Sequence, residues 1–321
     1  KDEAAPLLGA RIVRAGTISD VELMRRHSEG WPGNNPGWAH NWAGVLFGSA
    51  GMLHGLGAMQ GPPETPVRID AIGPGGPVSA TLRPRKDAAE GRLPLTRTAA
   101  VHEAWAKTGG GGGNYVRPLP DRRALYLSID AMEDAEGRTF AELTKQAFAA
   151  FDATGLDRLV VDLRRNGGGD NFNGETLRKG IAHSRFNRPG GLFVLTSPQT
   201  FSAAQNLSTR LERETCALFV GEPTAGAPNH CGDAAVFIGA ATGVTAIISS
   251  KRWSDSYPSD RRIWILPDLP IPTLFADWTA GRDPALDAAL SHTVSGPDDD
   301  RTFFFARASQ KSDWRPFWRQ T

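Results

Sequence analysis

Cysteine is nearly absent: Cys216 and Cys231 are the only two among 321 residues. One disulfide at most is available, and the spacing fits neither a zinc ribbon nor a redox motif. The sequence therefore reads as two unpaired thiols and leaves the compartment open. An excess of charge of either sign is lacking too. Lys plus Arg number 36 and Asp plus Glu 35, for a net charge of +1, so nothing points to nucleic acid or to an anionic membrane surface. Aromatic and basic residues form no interleaved stripe on which bases would stack. Long hydrophobic runs are missing as well. The longest stretch without Asp, Glu, Lys or Arg, Gly30 to Pro63, carries His40, Asn41, His54 and many glycines and would make a poor bilayer helix. No stable membrane insertion is expected. No signal peptide is read in the sequence, and an opening on Lys1 rather than Met leads us to expect a processed chain or a fragment, from which a leader could have been lost.

What is present is the composition of an ordinary globular protein, 40% hydrophobic and 22% charged, long enough for one large or two moderate domains. Leu7 to Ala15 is strand-like after Gly9, and Thr17 to Arg26 is helical with Ser19 or Asp20 as cap. Trp38 to Met59, apolar with small residues, predicts a buried helix or helix pair. Val67–Ile72 and Val78–Leu82 alternate like two strands across a Gly/Pro turn. Five consecutive glycines, Gly109 to Gly113, mark the boundary. The expected division is 1–113 as an N-terminal segment, 114–292 as an α/β domain and 293–321 as a tail. In the second part, strands at Ala124–Ile129, Leu159–Leu163, Leu192–Thr196 and Ala217–Val220 alternate with helices at Thr139–Thr154, Asn173–Ala182 and Ser202–Arg213. That alternation predicts right-handed crossovers and a mainly parallel sheet. Beyond Val220 the pattern changes to strands and loops, Val244–Ser249 being the clearest.

Two loops carry the chemistry. Asp162-Leu163-Arg164-Arg165-Asn166-Gly167-Gly168-Gly169-Asp170 and Ser197-Pro198-Gln199-Thr200-Phe201-Ser202-Ala203-Ala204 each follow a buried strand of the same sheet. The ends of successive parallel strands lie along one edge, where ligands bind. Ser202 stands where a strand turns into a helix, a place that can expose its hydroxyl as a nucleophile elbow does. The helix start offers free N–H groups to an oxyanion, the N–H of Ala203 among them. Glycine lets a substrate carbonyl approach the second loop. A helix cap is the plain alternative for Ser202, and a tight turn for the triple glycine. Phosphate binding fails on spacing: no Gly-Lys-Ser/Thr follows, and Phe172 stands where the last glycine of G-x-G-x-x-G belongs.

Asp162-Leu163-Arg164-x-Asn166-x-Gly168-Gly169, then Thr200-Phe201-Ser202-Ala203-Ala204, then Val220-Gly221-Glu222-Pro223-Thr224-x-Gly226, then Pro267-Asp268 resemble, in order and spacing, the motif series of the tail-specific serine peptidases, which include C-terminal-processing peptidases and the tricorn core. The resemblance covers about Ala124 to Leu290, and Leu8 to Val13 looks like the start of the family's PDZ-like portion. It implies a crotonase/Clp-protease-like α/β fold, with a mainly parallel sheet, crossover helices and a PDZ-like, helical N-terminal segment. It implies Ser202 as nucleophile, the N–H groups of Gly168 and Ala203 as oxyanion hole, a protein or peptide substrate, no metal or cofactor, and a periplasmic or secreted setting.

The pattern also breaks. The dyad lysine of bacterial relatives is replaced by Ala227. The histidine used by tricorn-like relatives comes from a segment before the PDZ-like part, where this chain has not yet begun. His230 is the nearest candidate base in sequence, against the plainer reading of a loop histidine; His27, His40, His54, His102, His183 and His292 read as structural or exposed. Asp260 is a candidate to orient the base or a solvated loop carboxylate. Gln205 takes the place of a glutamate common in relatives. Asp162 is expected to pin the glycine loop, and Trp253, Trp264 and Trp278 to pack. His230, Cys231 and Asp233 match no four-ligand zinc pattern. The alternatives to a peptidase are an esterase-type hydrolase on the same fold and an inactive relative that binds peptides.

Overall fold

The computed structural model describes residues 3–7, 9–30, 35–43, 48–62, 64–73, 75–85, 113–135, 137–153, 155–274, 276–277 and 280–293. His102, Trp278, most of the glycine run and the tail beyond residue 293 therefore lie outside the described residues. The chain divides into two compact units, Lys1–Thr96 and Arg97–Thr321.

In the first unit, β1 (Arg11–Ala15), β2 (Ile18–Ser19), β3 (Val67–Gly73) and β4 (Gly76–Leu82) form an antiparallel sheet of order β2-β1-β3-β4. Helix α1 (Asp20–Gly30) follows β2 directly, and the Ser19 hydroxyl accepts from Glu22 N at 3.3 Å, the cap expected of it. The small-residue stretch splits into α2 (Pro36–Asn41) and α3 (Ala50–Gly55), capped by Asn35 and Ser49. Leu23 of α1 and Leu53 of α3 pack with Ala15, Val67 and Ile69 of the sheet in one core.

The second unit is a three-layer mixed α/β structure. Strands β5 (Tyr115–Leu119), β6 (Ala124–Ser128), β7 (Arg158–Asp162), β8 (Leu192–Thr196), β9 (Leu218–Gly221) and β12 (Leu269–Pro270) form a six-stranded sheet of order β12-β9-β8-β7-β6-β5. All neighbours run parallel except β5 with β6. Every residue of β6 and β8 is buried, because both sheet faces are covered; that is why these strands read as unbroken apolar runs. Helices α4 (Phe140–Phe151), α5 (Gly174–His183) and α6 (Ala203–Glu214) cover one face through Leu143, Ile181 and Leu207. Helix α7 (Pro284–Ser291) covers the other through Leu286 and Ala289. Strands β10 (Asn229–Ile238) and β11 (Thr245–Ser254) form a separate antiparallel hairpin. No described helix is long and apolar enough to cross a membrane.

One buried ionic network ties the layers together. Asp162, at the end of β7, accepts from Arg164 N and Nε, each at 3.0 Å, and from Tyr126 Oη at 2.5 Å. Arg164 also reaches Asp283 in bidentate fashion, at 2.8 and 2.7 Å, and Asp283 caps α7 by accepting from Leu286 N. Burial pushes the Asp162 carboxyl up, but the charge and hydrogen bonds of Arg164 outweigh it and leave the group below its ordinary value. The stabilisation this gives is present above the unfolded carboxylate pKa of about 3.9 and is lost as pH falls through the lower folded value. Removing one member strands a buried charge. Asp162→Ala is expected to lower the urea unfolding free energy by about 3–5 kcal/mol, whereas Asp287→Ala, which breaks the exposed pair with Arg122, should cost within about 1 kcal/mol.

Candidate active site

Three loops leave the carboxyl ends of β7, β8 and β9 at one edge of the sheet. They are stitched together by backbone and small polar groups. Phe201 N donates to Asn166 O at 3.0 Å, Thr200 Oγ1 to Leu163 O at 2.9 Å, and the Ser197 hydroxyl to Arg164 O. Ala225 N donates to Thr200 O and Glu222 N to Thr196 O, both at 3.0 Å, bringing in the third loop. The sequence reading treated Ser197, Thr200 and Asn166 only as motif members; their hydroxyls and amide set the loop geometry.

Ser202 precedes α6 with φ 53° and ψ −123°, a conformation that costs an L residue about 1–3 kcal/mol. A capping serine has extended backbone and folds its oxygen back onto the second or third helical N–H. Ser202 does neither, and its side chain makes no cap hydrogen bond. Its hydroxyl has no hydrogen-bond partner among the described residues, and the residue is half-buried at the sheet edge. The amide of Ala203 beside it has no acceptor among the described residues.

Gly168 sits against this serine. It has φ 123°, and a Cβ built on it would lie 2.6 Å from Ser202 Cβ, 3.0 Å from Ser202 Oγ and 3.3 Å from Ala203 N. Only glycine allows that approach. The Gly168 N–H, assigned to the oxyanion hole by resemblance, donates to Asn166 Oδ1 at 2.9 Å. Asn166 is fully buried and its Nδ2 donates to Ile129 O at 2.9 Å, so its amide is anchored at both ends. The amides of Gly167 and Gly169, on either side of Gly168, have no acceptor among the described residues.

His230 is the second residue of β10 and is buried, its ring centroid 6.3 Å from that of Phe201, the neighbour of Ser202. Its Nδ1 lies 3.1 Å from Ala227 O. A carbonyl only accepts, so Nδ1 carries the hydrogen and, in the neutral ring, Nε2 keeps its lone pair. Burial pushes the imidazole below its ordinary pKa, against a smaller opposing effect of that hydrogen bond. The backbone carbonyl of Ala227 thus orients the histidine ring.

Other candidates have structural occupations. Asp260 is no solvated carboxylate: burial raises it, but hydrogen bonds from Arg262 and Ser256 overcome that and leave it below its ordinary value, and Arg262 is shared with Glu212. Gln205 is buried in α6, donates to Thr209 Oγ1 at 3.3 Å and packs on Gly226, with its Oε1 unpaired among the described residues. Glu222, a member of the third motif to which the sequence assigns no role of its own, is buried with Thr273 Oγ1 on its Oε2 at 2.9 Å, and burial raises its pKa. Trp264 is buried in the second unit, and Trp253 pairs across the hairpin with His230. Cys216 and Cys231 are both free thiols. No group of three His, Cys, Asp or Glu among the described residues could hold a metal ion.

No family model matches the chain, and no curated protein matches it. Solved structures do. Mature CPAF superposes with a TM-score of 0.54 at 13% identity, over 88% of this chain and 76% of that one. A serine-to-alanine CPAF mutant gives 0.53 at 12%, over 90% and 79%. The photosystem II D1 C-terminal processing protease matches at 15% identity over 82% of this chain and 63% of its own, with a TM-score of 0.38. The chain therefore spans less than two thirds of that protease. The neighbours are peptidases of the S41 type; at such identities what is shared is the mixed α/β fold with its parallel-containing sheet.

A glycine scan checks the loop geometry. Gly168→Ala is expected to destabilise the protein by about 1–3 kcal/mol through clash and backbone strain. Gly167→Ala, whose added Cβ meets nothing within 4 Å, should stay within about 0.5 kcal/mol. Urea midpoints at constant m-value read the difference.

Proposed function

We propose that this chain is the catalytic part of a serine hydrolase that cleaves peptide bonds through an acyl-enzyme on Ser202. The observation that carries the reading is the backbone of Ser202: a strained conformation at the sheet edge, with the hydroxyl unused by the helix it precedes and a glycine held against it. Strain of this kind persists only where the surrounding structure enforces it.

In this reading Ser202 Oγ attacks the carbonyl carbon of the scissile bond and passes its proton to His230 Nε2. The carbonyl oxygen, now an anion, is held by the amides of Ala203 and Gly169; each such donor is worth about 2.7–4 kcal/mol in the transition state. His230 returns the proton to the leaving amine, and water then releases the acyl group by the same steps reversed. No metal or cofactor is needed. The finer expectations belong to the same proposal: a crotonase/Clp-type sheet, a tail-specific choice of substrate and a PDZ-like first unit that binds peptide ends.

A second reading draws support from the Gly168 N–H already engaged by Asn166: a relative that binds peptides without cleaving them. Turnover separates the two. Cleavage of a peptide library, and labelling by a fluorophosphonate, should be abolished in Ser202→Ala. Peptide binding that survives Ser202→Ala, with no product and no labelling in the parent chain, would favour the second.

The base is tested separately. His230→Gln should lower the labelling rate by about 10²–10⁴-fold, the usual worth of a positioned base. Because burial depresses its pKa, His230 stays neutral at pH 7. Reactivity should be flat there and fall with acidification only below the ordinary histidine range of about 6.5. Unchanged labelling in His230→Gln would assign the base to another residue.

A further inference from the structure

Phe172 follows the glycine loop and has 80% of its surface in water, the largest fraction of any large apolar side chain among the described residues. The backbone that carries it is firmly held. Asp170 N donates to Met132 O at 2.9 Å and Phe172 N to Asp170 Oδ1 at 2.8 Å. Asn173 Nδ2 donates to Met132 O at 3.0 Å, and Glu175 N to Phe172 O at 3.2 Å. Gly174 packs on the Met132 side chain. The chain is thus bonded on both sides of Phe172, while the ring itself is presented to solvent.

Its place in the fold is set by the parallel sheet. Strands β7 and β8 are parallel neighbours, and the helices that follow them, α5 and α6, cover the same face and pack on each other. Both helices start at the carboxyl edge of the sheet, where ligands of such sheets bind. Phe172 stands two residues before α5 and Ser202 immediately before α6. Packed helices lie about 8–10 Å apart, so Phe172 and Ser202 are roughly 10 Å from each other, across a glycine loop whose Gly168 touches Ser202. An extended peptide advances about 3.3 Å per residue. A peptide whose scissile carbonyl sits at Ser202 and which runs toward α5 therefore reaches Phe172 after about three residues. A lone exposed apolar side chain is ordinary on a surface. One on a rigid backbone at the substrate edge of the sheet, between Asn171 and Asn173, is an apolar contact whose ordering is already done before the ligand arrives.

We propose that Phe172 is a specificity-determining residue, taking a large apolar side chain of a peptide substrate about three residues from the scissile bond. The proposal rests on the reading of Ser202 as nucleophile.

A peptide series tests it, with Phe, Ala or Glu walked through each position on either side of the scissile bond. The parent chain should prefer Phe over Ala by about 10–100-fold in kcat/KM at one position, about three residues from the bond. Phe172→Ser should bring that ratio close to one. Phe172→Arg should turn the preference at the same position toward Glu, which a merely structural residue would not do. Circular dichroism and urea midpoints check that both variants are folded. Binding of the same peptides to Ser202→Ala, with and without Phe172→Ser, reads the contact without turnover. A parent chain that cuts no peptide and takes no fluorophosphonate contradicts the nucleophile reading, and the binding series then still decides the part of Phe172. A preference for Phe that is absent from both series, that lies at the residues flanking the scissile bond, or that survives both Phe172 variants overturns the proposal.

Discussion

The site depends on one close approach, that of the Gly168 backbone to the side chain of Ser202. A single added methyl on Gly168 would sit 2.6 Å from Ser202 Cβ, so the two loops are packed at backbone distance. The approach is maintained from below by Asn166, whose backbone carbonyl accepts from Phe201 while its side chain bridges Ile129 O and Gly168 N. One buried residue, through its backbone carbonyl and its side-chain amide, thereby fixes the residue before the serine, the glycine loop and the strand end beside it. The strain at Ser202 is sustained by this set of bonds, together with those of Thr200 and Ser197, rather than by any contact of its own side chain.

The same bonds redistribute the chemistry. Asn166 holds the Gly168 amide at 2.9 Å, and the donors we propose for a developing anion are the amides of Ala203 and Gly169. The backbone oxygen of Ala227 fixes the tautomer of His230, and burial pushes the pKa of that ring below its ordinary value. Away from the site, the Asp162–Arg164–Asp283 network joins the root of the glycine loop to the helix on the opposite face of the sheet, so stability and loop position share one set of charges.

Much of this was legible in the sequence. The strand Leu192–Thr196 and the start of α6 at Ala203 lie where the unbroken apolar run and the Ser202 punctuation placed them, because a strand buried on both faces leaves no ambiguity of phase. Strand β5 was not read: Arg117 and Pro118 interrupt it, which is tolerated only at a sheet edge. Helix α7 was missed although Asp283-Pro284, a cap followed by proline at the first helical position, was there to be noticed. Asn166 could not be assigned its part from sequence, since the choice of acceptor for the Gly168 amide depends on a side-chain rotamer. Strand β10 gave no alternation because neither of its faces is buried.

The central claim is that Ser202 is a nucleophile whose oxyanion is received by Ala203 and Gly169. A crystal structure of the chain after reaction with a peptidyl phosphonate tests it most directly. The account predicts a covalent bond from phosphorus to Ser202 Oγ, with the phosphonyl oxygen about 3 Å from both amide nitrogens and Asn166 Oδ1 still on Gly168. It would be contradicted by an adduct on another residue, or by a phosphonyl oxygen that takes the Gly168 amide away from Asn166.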